Sequence, residues 1–232
     1  MTAPRILIIT TSHASLGDTD KKTGLWIEEL TTPYYAFVDA GASVTVASIG
    51  GGAVPIDPGS QKADGENAPS VERYRSDEAF QKVVTNTSAI ADVNASDYDA
   101  IFLPGGHGTM WDMPGSDRLA QIVSETLEQG RIVSAVCHGP AGLVSAKTAA
   151  GEPIVKGRKV AAFTDSEENA VGLSDTVPFL LESKLRELGA DVQTVGDFEA
   201  FAVADGNLIT GQNPTSSELV AEKVLSAIST AS

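Results

Sequence analysis

The hydrophobic pattern alternates between short apolar runs and amphipathic segments along most of the chain. Residues 5–11 (RILIITT) form a continuous apolar run, which is typical of a strand buried on both faces. Residues 22–41 carry a helical pattern that ends at a glycine, and residues 42–49 (ASVTVASI) alternate as a second strand. This order predicts a strand–helix–strand unit with parallel strands.

The same alternation continues to the C-terminus. Further strands are predicted at residues 97–103, 131–136, 159–163, 191–195, 201–203 and 207–210, and further helices at 117–130, 178–189 and 214–228. Residues 50–69 are rich in Gly and Pro and are interpreted as a loop. The pattern predicts one α/β domain over residues 1–232, in which helices cover both faces of a mostly parallel sheet.

Composition excludes several classes of function. The 232 residues are 42% hydrophobic and 20% charged, as in ordinary soluble proteins, and the net charge of −15 argues against nucleic-acid or anionic membrane partners. The first apolar run is too short for a secretory signal, and no segment is long enough to span a membrane, so a cytoplasmic protein is expected. The single cysteine excludes an intrachain disulfide, and no Cys/His cluster has metal-ligand spacing. No metal or cofactor is therefore expected.

The single cysteine follows a predicted strand, in the segment SAVCHGPAGL. Cys137 has small residues two positions away on either side, Ala135 and Gly139. This is the outline of a nucleophile elbow. A helix beginning after the cysteine would favour the thiolate and lower the thiol pKa. The alternative is a buried apolar filler, the usual state of a free cysteine; the strand-end position and the adjacent histidine favour the nucleophile.

A base and an orienting acid would complete the site. His138 is adjacent to Cys137, and the two side chains can meet only if the cysteine has non-helical backbone angles. The acids that follow the next predicted strand, in FTDSEE, are Asp165, Glu167 and Glu168. The spacing alone leaves all three open as the third member.

A second carboxyl group lies in the first predicted helix. On a helical wheel, Glu29 borders an apolar stripe beside Trp26 and Pro33, whereas Glu28 lies nearly opposite. Burial raises a carboxyl pKa, so Glu29 is the candidate for exchanging protons with a thiolate or a substrate. The alternative is a boundary glutamate whose carboxylate reaches water.

The turn PGGHGT follows another predicted strand. Its glycines, Gly105 and Gly106, offer backbone N–H groups that side chains do not block. With the N–H of His138, they could form an oxyanion hole. Because ligands bind beyond the carboxyl ends of parallel strands, this turn and Cys137 are expected at the same edge of the sheet.

Taken in order along the chain, several segments together resemble the DJ-1/PfpI superfamily, and within it the Hsp31-like branch of glutathione-independent glyoxalase III enzymes. They are TSH, GLWIEELTTPYYAF, YDAIFLPGGHGTMWD, SAVCHGPAGL, FTDSEENAVG, VPFLLESKL and LITGQNPTSS. The resemblance implies a flavodoxin-like three-layer α/β/α sandwich, a homodimer, and chemistry that needs neither metal nor glutathione.

The resemblance also implies roles for individual residues. It makes Cys137 the nucleophile, His138 its partner, Glu168 the third member, Glu29 the acid–base carboxyl, and Gly106 with His107 part of the substrate-binding turn. The implied substrate is a small aldehyde such as methylglyoxal. The cysteine would form a hemithioacetal, which isomerises to a thioester and hydrolyses to lactate.

Two other functions stay open at this point. One is a cysteine hydrolase of amidase or peptidase type that uses Cys137, His138 and Glu168. The other is a non-enzymatic role as a stress-linked holdase or a thiol oxidation sensor, since a reactive thiol also oxidises readily. A glutamine amidotransferase is disfavoured, because no HxE pair follows the cysteine.

Overall fold

The computed structural model describes residues 3–231, which contain nine strands and eight α-helices. The strands are β1 (Arg5–Thr10), β2 (Ser43–Ser48), β3 (Ser88–Ala89), β4 (Ala100–Leu103), β5 (Ile132–Val136), β6 (Lys159–Val160), β7 (Asp191–Val192), β8 (Ala202–Asp205) and β9 (Leu208–Gly211). The helices are α1 (Ile27–Asp39), α2 (Pro69–Ser76), α3 (Glu78–Thr85), α4 (Thr109–Asp112), α5 (Asp117–Glu128), α6 (Asp165–Ala170), α7 (Leu181–Glu187) and α8 (Ser217–Ala231).

Seven strands form one sheet in the order β3-β2-β1-β4-β5-β9-β8. Every neighbouring pair is parallel except β8 and β9, which form an antiparallel edge. Helices α1 and α8 pack together over one face and α5 covers the other, so two apolar layers enclose the sheet. The predicted three-layer α/β/α architecture is confirmed.

Some predicted elements have different bounds. The first helix begins at Ile27 rather than at residue 22, because Leu25 pairs with Ile56 as an isolated bridge and the Trp26 N–H donates to Gly105. The strands predicted at 159–163 and 191–195 shrink to β6 and β7, which pair only with each other, outside the main sheet. Helices α2 and α3, which no prediction covered, follow the Gly/Pro-rich loop.

The register of the central strands positions the site. Leu103 of β4 pairs with Ala135 of β5. Gly105 and Cys137, each two residues farther along the chain, lie just beyond the carboxyl ends of β4 and β5. The glycine turn and the cysteine therefore meet where ligands bind in sheets of this kind. None of the helices within residues 3–231 combines the length and apolar character needed to cross a membrane.

Candidate active site

Cys137 lies on a strained turn at the end of β5. Its φ is 60°, in the left-handed region that non-glycine residues rarely adopt. Two backbone hydrogen bonds hold the turn: the Cys137 N–H donates to Gly211 at 3.0 Å, and its carbonyl accepts from Phe163 at 2.9 Å. Such a conformation costs on the order of 1–2 kcal/mol. It gives Cys137 the non-helical backbone that the predicted nucleophile elbow requires.

The thiol environment differs from the sequence-based prediction. After the elbow the chain forms only a short 3-10 turn, Gly139–Leu143, rather than an α-helix. Cys137 is 3% exposed, and burial, followed by the proximity of Glu29, raises its pKa above the ordinary thiol value. The predicted lowering of the thiol pKa was wrong, because desolvation disfavours the thiolate. The resting cysteine therefore needs a base that takes its proton during attack.

His138 is positioned to be that base. Its Nδ1 lies 3.3 Å from Cys137 Sγ, and its Nε2 lies 2.7 Å from Glu168 Oε2. Burial, with a further contribution from nearby His107, lowers the pKa of His138 to about 4, so the imidazole is neutral at pH 7. Because the Nε2 proton is donated to the carboxylate, the Nδ1 lone pair faces the thiol.

Glu168 is the acid that the structure brings to the histidine. Burial raises its pKa, but hydrogen bonds from His107 and His138 outweigh that effect and set the pKa to about 2. The other two acids of the segment have different partners. Glu167 closes a capping box with Thr164 at the start of α6, and Asp165 accepts hydrogen bonds from Ser183.

Two histidines share the Glu168 carboxylate. His107 Nε2 lies 2.7 Å from Glu168 Oε1, and the rings of His107 and His138 are 4.1 Å apart between centroids. These three groups, which the spacing of the sequence did not suggest as a cluster, are close enough to share a divalent cation. Both imidazoles already direct an N–H at the carboxylate, so a cation would have to displace both protons. The arrangement is built to hold and transfer protons.

Glu29 is fully buried, as the helical wheel predicted, whereas Glu28 is partly exposed. Its Oε2 accepts a hydrogen bond from the Gly105 N–H at 2.6 Å, and its Oε1 has no hydrogen-bond partner within residues 3–231. Burial raises the pKa of Glu29 to about 8, against the opposing effects of the Cys137 thiol and Gly105. At neutral pH this carboxyl group holds a proton.

The glycine turn contributes one free donor rather than two. The N–H of Gly105 donates to Glu29, so the prediction that Gly105 binds an oxyanion is corrected to a role in holding that carboxyl. The N–H of Gly106 has no hydrogen-bond partner among the described residues, and Gly106 borders the cavity. A Cβ at Gly106, where φ is 99°, would lie 2.3 Å from the carbonyl oxygen of Gly24, so only glycine fits.

The thiol opens into a small apolar cavity of about 140 Å³. Its walls are Trp26, Glu29, Gly106, His107, Cys137, His138, Phe163, Val171, Phe198 and Pro214. Phe198 is 43% exposed and also has a φ of 60°. Its N–H donates to Glu167 at 2.8 Å, which fixes the backbone of Phe198 beside the cavity. An engineered cavity of about 150 Å³ holds benzene, so the site admits only a small molecule or one end of a larger one.

Comparison with known proteins identifies the family of this chain. The family model for the DJ-1/PfpI family matches residues 26–227. The chain belongs to the DJ-1/PfpI family. Glyoxalase 3 of Candida albicans is 32% identical, with 96% of this chain and 97% of the relative covered. Glutathione-independent glyoxalase HSP31 of Saccharomyces cerevisiae is 31% identical, with 98% and 99% covered.

A solved structure shows the same architecture. The crystal structure of glyoxalase III from Candida albicans superimposes with a TM-score of 0.88 at 31% identity, and 97% of each chain is covered. The DJ-1/PfpI fold therefore extends over nearly the whole chain. At this level of identity, the likeness also places the Hsp31-type glyoxalases among its relatives.

Sequence reasoning about this DJ-1/PfpI chain missed one link within the site. Thr109 Oγ1 is fully buried and donates to the carbonyl oxygens of Gly106, at 2.9 Å, and His138, at 3.1 Å. It therefore joins the glycine turn to the elbow. The threonine lies in the PGGHGT motif, but from the sequence only the two glycines and His107 were assigned a role there.

Proposed function

We propose that this DJ-1/PfpI chain is a glutathione-independent glyoxalase that converts methylglyoxal or related 2-oxoaldehydes to 2-hydroxy acids. One observation carries the proposal. The Cys137 thiol lies in a cavity of about 140 Å³, with a neutral imidazole 3.3 Å from Sγ and the protonated Glu29 in the same cavity. These are the groups that an internal proton transfer on a three-carbon aldehyde needs. The relatives named as glyoxalases support the same reaction.

The first step is addition of the thiol to the aldehyde. As Cys137 Sγ bonds to C1, His138 Nδ1 takes the thiol proton, and Glu168 stabilises the imidazolium that forms. The oxygen on C1 gains negative charge beside the N–H groups of Gly106 and His138. The Gly106 N–H is in the same peptide as the Gly105 carbonyl, which accepts from the Trp26 N–H. The His138 N–H is in the same peptide as the Cys137 carbonyl, which accepts from the Phe163 N–H. These hydrogen bonds hold both donors in place before the reaction.

The second step moves hydrogen from C1 to C2. The C1 hydrogen leaves as a proton, and Glu29 donates its proton to the oxygen on C2, giving an enediolate whose C1 oxygen keeps the negative charge gained in the first step. Return of the proton to C2 and conversion of the C1 oxyanion to a carbonyl give a 2-hydroxy thioester on Cys137, with Glu29 ionised and His138 still protonated. C1 is oxidised and C2 reduced within one molecule, so no external oxidant is required.

The third step releases the product. Water, deprotonated by the Glu29 carboxylate, adds to the thioester carbonyl, and the bond between C1 and Sγ breaks. The sulfur recovers its proton from His138, and the 2-hydroxy acid leaves. In this step His138, held by Glu168, is the acid that protonates the leaving sulfur.

The triad also supports a second candidate, a cysteine hydrolase acting on small amides or esters. The observation in its favour is the chain of contacts from Sγ to Nδ1 and from Nε2 to the Glu168 carboxylate. The small cavity argues against polypeptide substrates. Release of an amine from a small amide, lost in His138→Ala, would favour this function over the glyoxalase.

Production of lactate from methylglyoxal without glutathione tests the proposal. We expect the wild-type protein to form lactate and Cys137→Ala to give only the uncatalysed rate, because no other cysteine exists in the chain. A wild-type protein no faster than Cys137→Ala would refute it. A homodimer, the state that the family resemblance implies, is part of the proposal and can be tested by light scattering. A cytoplasmic location stays a prediction of the sequence.

A further inference from the structure

The hydrogen transfer of the proposed glyoxalase reaction needs a base next to C1, and the two bases considered from the sequence are both occupied. Glu29, whose pKa is raised to about 8, still carries its proton at neutral pH. His138 receives the thiol proton when the hemithioacetal forms. A third group must accept the proton from C1.

His107 borders the cavity and has one ring nitrogen without a hydrogen-bond partner among the described residues. Its Nε2 lies 2.7 Å from Glu168 Oε1, and an ionised carboxylate can only accept, so the N–H proton is on Nε2. In the uncharged ring, Nδ1 therefore carries a lone pair. Within residues 3–231, Nδ1 makes no hydrogen bond and is not among the buried unpartnered atoms, so it is accessible. His107 borders the same cavity as Cys137.

The position of the ring fits a role at the substrate. The His107 and His138 centroids are 4.1 Å apart, and His138 Nδ1 is 3.3 Å from Sγ, the atom that binds C1. Phe163 packs edge-on against the His107 ring at 6.1 Å between centroids, which limits its rotation. One carboxylate thus fixes the tautomers of two histidines, which leaves one Nδ1 facing the thiol and the other with a free lone pair on a ring that borders the cavity.

We propose that His107 is a second catalytic base, whose Nδ1 removes the C1 proton of the hemithioacetal and returns it to C2. This inference rests on the proposed glyoxalase function. The electron pair of the C1–H bond forms the C1–C2 double bond, and the oxygen on C2 takes its proton from Glu29. In the reverse transfer, His107 protonates C2 while the C1 oxyanion becomes the thioester carbonyl, and Glu29 stays ionised until it takes a proton from the hydrolytic water.

The oxyanion-binding role predicted for His107 is replaced by this one. The Nε2–H of His107 is used by Glu168, so it is not free to donate to an oxyanion. The other ring nitrogen, Nδ1, is a hydrogen-bond acceptor. It can take a proton but cannot stabilise a negative charge.

The test compares the variant His107→Ala with the wild type. We expect a decrease in kcat of at least about 10²-fold, the usual contribution of a positioned base, with a smaller change in KM. Cys137 should still react with iodoacetamide, because His138 and Glu168 remain. Added imidazoles should restore lactate formation by His107→Ala, at rates that rise with the base strength of the imidazole. The matched control is His13→Ala, since His13 stacks on Trp111 outside the cavity and should leave kcat unchanged.

A second variant separates a base from a structural support. His107→Gln can still donate a hydrogen bond to Glu168 but has no basic nitrogen, so we expect a loss similar to that of His107→Ala. Near wild-type activity in His107→Gln, or rescue that does not depend on base strength, would overturn the inference. A wild-type protein that forms no lactate would instead overturn the proposed function together with this inference. An active wild type with an unimpaired His107→Ala overturns only the role of His107.

Discussion

Glu29 of α1 and Glu168 of α6 each place a carboxyl group beside the Cys137–His138 pair. Both are almost fully buried, at 0% and 2% exposure. The pKa of Glu29 is raised to about 8, whereas that of Glu168 is lowered to about 2. Burial alone would have raised both values.

The difference comes from the number of charged or polar donors that face each carboxyl. Glu168 accepts an N–H from each of two imidazoles, one on each oxygen. Glu29 accepts one backbone N–H on Oε2 and has nothing on Oε1 within the described part of the chain. Environments that separate two pKa values in this way also separate two roles, since one group stays a carboxylate and the other can donate a proton.

Removal of the ionised partner should have the largest effect. In Glu168→Gln the side chain has one acceptor oxygen instead of two, and its amide N–H would face one of the imidazoles. His138 would then lose the tautomer that leaves Nδ1 free for the thiol. We expect kcat for lactate formation to decrease by about 10⁴-fold, as when the acid of a serine protease triad is replaced by its amide.

The control for this variant lies on the same helix. Asp165→Asn changes the charge at the start of α6 and should retain most of the activity. Within residues 3–231, this carboxyl accepts hydrogen bonds only from the N–H and the hydroxyl of Ser183. A decrease of less than tenfold in Glu168→Gln would show that the carboxylate does not orient the histidines.

Removal of the protonated partner should have a smaller but clear effect. Glu29→Gln keeps an acceptor for the Gly105 N–H but cannot give up or regain a proton. We expect kcat to decrease by about 10³-fold, within the range for a positioned acid–base group. Steady-state assays with methylglyoxal measure this decrease. Glu28→Gln is the matched control, because this neighbouring carboxyl does not border the cavity; equal losses in both variants would contradict the assignment.

The two sides of this comparison were not equally accessible from the sequence. The burial of Glu29 could be predicted, because it depends on the helical periodicity of α1 and the apolar stripe beside it. The position of Cys137 could also be predicted from a local pattern, a strand followed by small residues. Both local patterns are present in the fold, although α1 begins later than predicted.

The partners of Glu168 depend on contacts that no local pattern records. The bond from His107 joins residues 61 positions apart, and the bond from His138 joins residues 30 positions apart. The choice among Asp165, Glu167 and Glu168 was settled by the start of α6, which the sequence did not predict. The predicted direction of the thiol pKa shift was wrong for a related reason: the shift depends on how closely the walls of the cavity pack around the sulfur.

The raised pKa of Glu29 also predicts how stability changes with pH. The folded state keeps this proton up to about pH 8, whereas the unfolded chain releases it near the ordinary value of 4.5. Between these values the folded state binds more protons, so its contribution to the free energy of unfolding decreases as the pH rises. From pH 6.5 to pH 9 the expected loss is about 2 kcal/mol.

Glu29→Gln isolates this contribution. The neutral amide does not titrate, so its thermal stability should be less sensitive to pH, and the variant should be more stable than the wild type at pH 9. Thermal melts of both proteins at pH 6.5 and pH 9 provide the comparison. Parallel decreases in Tm would mean that Glu29 is not the group that titrates.

The smallest expected effect is at Thr109, which links the glycine turn beside Glu29 to the elbow beside Glu168. Its hydroxyl donates to the carbonyls of Gly106 and His138, and both acceptors are buried. Thr109→Val keeps the shape but removes the hydroxyl donor. Each carbonyl keeps a backbone donor, the N–H of Thr109 for Gly106 and the N–H of Ala141 for His138, so the cost is about 0.5–1.5 kcal/mol. Without this link the glycine turn and the elbow should shift relative to each other, so we expect kcat to decrease by about tenfold with little change in KM. Thr109→Ser restores the hydroxyl and should restore kcat, whereas a variant that loses only Tm would show that Thr109 stabilises the fold without positioning the site.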